Sequence, residues 1–113
     1  MAHQNRNSTR TTIYEDIDQE RDRQAFLWNR SHEWGWGDCA SSHVDRPVKI
    51  AVLMEEVGEV ARALLEGADA RMREELVQVA AVAIAIIEGI DTDTGCHCGS
   101  GEHRFMVQPT EES

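Results

Sequence analysis

Two short stretches carry the side chains best suited to chemistry: Glu55-Glu56-Val57-Gly58-Glu59 and, nineteen residues on, Glu74-Glu75-Leu76-Val77-Gln78. Each is a pair of carboxylates followed three residues later by another oxygen-bearing side chain, and each continues Val-Ala. All-oxygen donor sets of this kind suit a hard divalent cation such as Mg²⁺ or Mn²⁺. The plainer alternative is a pair of solvated helix faces, which is where most glutamates sit.

Helical geometry weighs the two. With Glu55 at zero, Glu59 falls near 40° and Glu56 near 100°. Val52, Leu53, Val57, Val60 and Leu64 spread from about 60° to 200°, so Glu56 lies inside the apolar stripe. With Glu74 at zero, Glu75 falls near 100°, between Val82 and Ile86, and Gln78 near 40°, between Ala85 and Val82. A carboxylate in such a place is costly unless it is paired or bound to a metal. Arg62, Arg71 and Arg73 are the local cations. Glutamates crowded together otherwise repel one another or take up protons, so the pattern favours a cation site shared by two helices.

The elements that must position these residues follow from punctuation and period. Residues 1–11 are polar and aperiodic, which predicts a disordered N-terminal segment. Thr12 and Glu15 have capping-box spacing, predicting a first helix from there to about Ser31. Trp34-Gly35-Trp36-Gly37 breaks it and opens a loop. Asp45 and Pro47 start a second helix that ends near Glu66, with Gly67 as its stop. Asp69 caps a third, from Ala70 to about Ile90. The short connection makes the last two antiparallel neighbours. No strand pattern is visible, so residues 12–92 read as an all-α, antiparallel helical bundle. The third helix is apolar nearly all round between Leu76 and Ile87, which predicts completion of the bundle by homo-oligomerisation, as a homodimer or a dimer of dimers.

Composition narrows the partners. The 113 residues make one small domain, and the net charge of -10, with ten arginines and one lysine, is a poor match for nucleic acid. No stretch reads as a membrane span or a signal peptide, and three cysteines do not make a disulfide framework. A cytoplasmic protein is expected. Residues 93–113 read as a flexible tail. Its Cys96, His97, Cys98 and His103 pose a zinc-site alternative, though their spacing matches no common zinc motif.

Phe26, Trp28, Trp34 and Trp36 crowd into eleven residues. They either plug the end of a small helical core or offer a stacking surface for a planar ligand such as a base. Lys49, seven residues before Glu56, is either a phosphate contact or a solvated neighbour on the same face.

The acidic stretches resemble the MazG-like, all-α nucleoside triphosphate pyrophosphohydrolases, whose mark is Glu-Glu-x-x-Glu on one helix and Glu-x-x-Asp on the next. Glu55-Glu56-Val57-Gly58-Glu59 meets the first half, and Glu75-Leu76-Val77-Gln78 meets the second except at its last position. The resemblance extends over roughly residues 20–90, with small phage-encoded or actinobacterial members nearest in style; for a phage protein the compartment is the host cytoplasm. It implies Mg²⁺-dependent hydrolysis of a (d)NTP to the monophosphate and pyrophosphate. Carried over by position, Glu56, Glu59 and Glu75 are metal ligands, and Gln78 stands where the family has an aspartate. Glu55 and Glu59 are the candidate catalytic residues, Glu55 orienting or deprotonating the attacking water. Trp34, Trp36, His32 and Asn29, with Lys49, are the candidate substrate contacts. Gln78 brings no negative charge, which defines the competing reading: a catalytically degenerate helical module that binds nucleotide or protein.

Overall fold

The computed structural model describes residues 2–92, with side chains from residue 7 onward. The tail from residue 93, and with it the zinc alternative at Cys96, His97, Cys98 and His103, lies outside the described residues. Three helices make up most of the described chain: α1 (Ala2–Trp28), α2 (Arg46–Leu65) and α3 (Asp69–Thr92).

The helical hairpin follows the expected punctuation. Asp45 is the N-cap of α2, with Pro47 in the first turn, although the Asp45 side chain makes no capping hydrogen bond. At the other end Ala68 N donates to the Ala63 carbonyl and Gly67 N to the Leu64 carbonyl, both at 3.0 Å. With Gly67 at φ +69°, this is a Schellman stop, whose left-handed residue glycine adopts without penalty. The tight turn folds α3 back along α2, and α3 also packs on α1, so it is the central element.

Two expectations are corrected. The first helix begins at Ala2, and Thr12 is not its cap. The Thr11 and Thr12 hydroxyls instead donate back to the carbonyls of Asn7 (2.9 Å) and Ser8 (3.2 Å), one turn earlier. A threonine with the right partner three residues on sits inside a helix just as well when no glycine or proline interrupts the preceding turn. The helix also ends at Trp28, short of Ser31, because a small hairpin follows: β1 (Ser31–His32) pairs antiparallel with β2 (Gly35–Trp36). Two-residue strands have no readable period, which is why the sequence shows none.

The core is sparse and built of small side chains: Val44, Ala63, Ala81, Val82 and Ala85 are buried, and no large side chain is fully enclosed. Helix α3 buries one face through Ala81, Val82 and Ala85, while Ile84, Ile87 and Ile90 are exposed. Among the described residues no helix is long and apolar enough to cross a membrane.

Candidate functional site

The acidic residues come together where α2 and α3 pack. Glu75 lies partly buried on α3, and its Oε1 is enclosed with no hydrogen-bond partner among the described residues. Across the helix pair, the Glu56 carboxyl is held above its ordinary proton affinity. The causes are burial first, then the charges of Glu75, Glu55, Glu59 and Glu20. Desolvation and like charge both disfavour the carboxylate form, so the two effects reinforce each other. Arg71 pairs with Glu66 and Arg73 with Asp16 at 2.9 Å; the arginine whose charge reaches Glu56 is Arg23, itself paired with Glu20.

Glu59 is half-buried and Glu55 exposed, as their positions at the edge of the apolar stripe predict. Among the described residues no group of three or more His, Cys, Asp or Glu side chains is placed to hold a metal ion. The donor chemistry nevertheless fits a hard divalent cation: several carboxylates, one enclosed oxygen without a partner, and mutual repulsion that a cation would relieve. The carboxylates are gathered around Glu56 but are not arranged as a ligand set.

A cavity of about 280 Å³ opens beside them, lined by residues of all three helices and the intervening loop. Its apolar walls are Leu27, Trp28, Trp34, Val44, Val52 and Val82; its polar groups include Gln24, Asp38, Cys39, Glu55, Glu56 and Gln78. The volume is close to the lower end of small-ligand pockets, roughly 300 Å³. A broader, more open groove of about 620 Å³ adjoins it, lined by Asp16, Gln19, Glu20, Arg23, Arg73, Glu74, Val77 and Gln78. Arg23 and Gln78 line both, so the slot and the groove meet at these two side chains.

The loop that closes the slot is tied at several points. Arg21 donates from Nη1 to Asp38 Oδ2 (2.9 Å) and from Nε to Glu88 Oε1 (2.7 Å), joining α1, the loop and α3. Asp38 Oδ1 accepts from Ala40 N at 2.9 Å. Ser41 Oγ donates to the Trp36 carbonyl (2.5 Å) and accepts from His43 N (3.0 Å). Burial, and then the negative Asp38, push the Cys39 thiol up to about 11, so it faces the slot as a neutral group.

The expected ligand contacts divide. Trp34 lines the slot, together with Trp28. His32 stacks on Trp34, with centroids 4.9 Å apart and planes 2° from parallel, and its Nε2 donates to the Trp28 carbonyl at 3.0 Å. It backs the wall without lining it. Trp36 and Asn29 are exposed and lie off the slot. The aromatics do not plug a core: Phe26 is 86% exposed, and Trp28, Trp34 and Trp36 are open as well.

Lys49 needs correction under both of its readings. It is only 5% exposed, so it is no solvated neighbour, and it lines neither cavity. Its Nζ lies against α3, about where a side chain at Gly89 would begin, at 3.1 Å from that position, with the Ala40 carbonyl at 3.0 Å. The loop covers this end of α2.

Sequence reasoning missed the contribution of α1: Glu20, Arg23 and Gln24. A signal was present, because Glu20, Gln24 and Leu27 recur at helical spacing on one face. No family model, curated protein or solved structure matches the chain.

Proposed function

We propose that this protein is a Mg²⁺-dependent nucleoside triphosphate pyrophosphohydrolase, converting a (d)NTP to its monophosphate and pyrophosphate. The observation that carries the reading is Glu75 Oε1, enclosed without a partner beside a Glu56 whose carboxyl is crowded by four other acids. An acidic cluster of this kind, half-buried and with only Arg23 reaching Glu56, is costly unless a bound cation or protons relieve it.

In this reading Glu56, Glu59 and Glu75, with the Gln78 amide oxygen, hold Mg²⁺ or Mn²⁺. When bound, the cation neutralises developing charge on the phosphates and activates water for in-line attack. Glu55, which lines the slot beside Glu56, orients the water and accepts its proton. Trp28 and Trp34 flank the base. Arg23, at the junction of slot and groove, takes the phosphate-contact role first expected of Lys49. A second copy of the chain covers the exposed apolar side chains of the hairpin, among them Leu65 (86% exposed), Leu64, Ile87 and Ile90.

The test is pyrophosphate release across a panel of common and modified nucleotides under varied Mg²⁺. Turnover of at least one, abolished by Glu59→Gln, is expected; no turnover by folded protein across the panel rejects the reading. Gln78, together with the open arrangement of the acids, favours the second reading, a degenerate module that binds nucleotide without cleaving it. For the assembly, light scattering that gives a monomer mass contradicts the covering by a second copy.

A further inference from the structure

Gln24 is the one uncharged polar side chain that is buried in this chain's described core, at 8% exposure, and it lines the slot. Its amide nitrogen points to acceptors on both sides: Glu20 Oε2 at 3.2 Å and, more weakly, the Gln78 carbonyl at 3.4 Å. A flipped amide would set its oxygen against a carboxylate and a carbonyl, neither of which can donate. The orientation is therefore fixed by chemistry. Oε1 is left with no hydrogen-bond partner among the described residues, and it is an acceptor only.

The other polar groups of the slot are mixed: Arg23, Cys39 and Gln78 can donate. Glu55, Glu56 and Asp38 offer acceptors, and Asp38 is already bound to Arg21. Trp28 and Trp34 supply apolar faces on which a planar ring can stack. A heterocycle entering here meets aromatic surface on its faces and, where its edge reaches Gln24, the Oε1 acceptor.

We infer that Gln24 sets the base preference of the slot: its Oε1 accepts from an exocyclic amino group, so that amino-bearing bases are taken over their oxo counterparts. Cytosine and adenine present such a group. Uracil has a carbonyl in place of that amino group, and the carbonyl would face the Gln24 Oε1 acceptor. The inference rests on the nucleotide reading above and adds to it the class of base and the residue that selects it.

The experiment measures binding of non-hydrolysable α,β-imido analogues of dCTP and dUTP to the full chain with Mg²⁺, read by quenching of tryptophan fluorescence. The dCTP analogue is expected to bind about tenfold or more tightly, the usual size of one buried hydrogen bond made or left unmade. In Gln24→Met the ratio falls to within about twofold, since the side chain keeps its shape and loses its acceptor. Should Gln24→Met fail to fold by circular dichroism, Glu20→Ala serves instead: it removes the shorter of the two bonds that orient the amide, leaving only the 3.4 Å one to the Gln78 carbonyl, and moves the ratio toward one. Equal affinities in the wild type, or an unchanged ratio in the variants, overturn the role of Gln24 and leave the pyrophosphohydrolase reading standing. Absence of quenching by every nucleotide analogue overturns both.

Discussion

Of all the charges around Glu56, that of Glu75 on the facing helix raises its proton affinity most, after burial itself. The two side chains thus share one electrostatic problem, which either a proton or a cation can solve. A raised folded-state pKa contributes stability that is complete below the unfolded carboxyl value and is lost as pH rises through the folded one. Without divalent ions, the melting temperature should therefore decline as pH rises from the ordinary carboxyl range into the raised range of Glu56. In Glu56→Gln that decline should flatten. Adding Mg²⁺ near neutral pH should restore stability, by about 2.7 kcal/mol at a hundredfold excess over Kd. Thermal melts with and without Mg²⁺, at matched ionic strength, check this; a melting temperature indifferent to Mg²⁺ contradicts a cation at these acids.

Gln78 separates the two functional readings, because its amide supplies an oxygen but no charge. If the site is active as it stands, Gln78→Asp should change turnover by less than about tenfold while tightening Mg²⁺ dependence. If the chain is degenerate, the same substitution should raise turnover from near background by two or more orders of magnitude, the range of a single electrostatic contributor. Pyrophosphate release at several Mg²⁺ concentrations distinguishes them, with Glu59→Gln as the inactive reference.

The hairpin of α2 and α3 was legible because its signals are local: Asp45 and Pro47 at one end, Gly67 at the other, and a clean helical period between. The partial burial of Glu56 and Glu75 was legible for the same reason, since a carboxylate inside an apolar stripe must go where the stripe goes. Lys49 was not. Its helical phase matches that of Glu56, but it stands at the end of α2 that the loop crosses, and the Ala40 carbonyl and Gly89 enclose it. Likewise the slot depends on how α1 lies against α3, and no periodicity within α1 states that. Helical spacing grouped Glu20, Gln24 and Leu27 without saying what they face.

Arg21 ties α1 to the loop through Asp38 and to α3 through Glu88. Arg21 and Asp38 are both largely enclosed, at 12% and 15% side-chain exposure, so removing Arg21 leaves Asp38 without its counter-charge, whereas removing Asp38 leaves Arg21 with Glu88 alone. Arg21→Ala and Asp38→Ala should each cost about 1–3 kcal/mol. The double variant should cost little more than either single one, since the interaction can be lost only once. Urea melts of the four proteins complete the cycle. Strictly additive losses would mean that the pair does not hold the loop.

Two glycines should respond to alanine in opposite directions. Gly35 sits at φ +132°, and a Cβ there would fall 2.1 Å from the His43 carbonyl oxygen. The clash is with backbone, so the hairpin must open: a loss of about 1–3 kcal/mol is expected, together with a change in tryptophan emission as Trp34 leaves the slot wall. Gly58 lies within α2, between Glu56 and Glu59, with nothing within 4 Å of the corresponding position. In a single chain Gly58→Ala should therefore gain about 0.5–1 kcal/mol, the ordinary helical advantage of alanine over glycine. If a second copy packs closely on this face of α2, the gain disappears and the assembly weakens. Melting curves at two protein concentrations, with the mass by light scattering, read both effects, and a destabilised Gly58→Ala would place the contact with the second copy at the acidic motif itself.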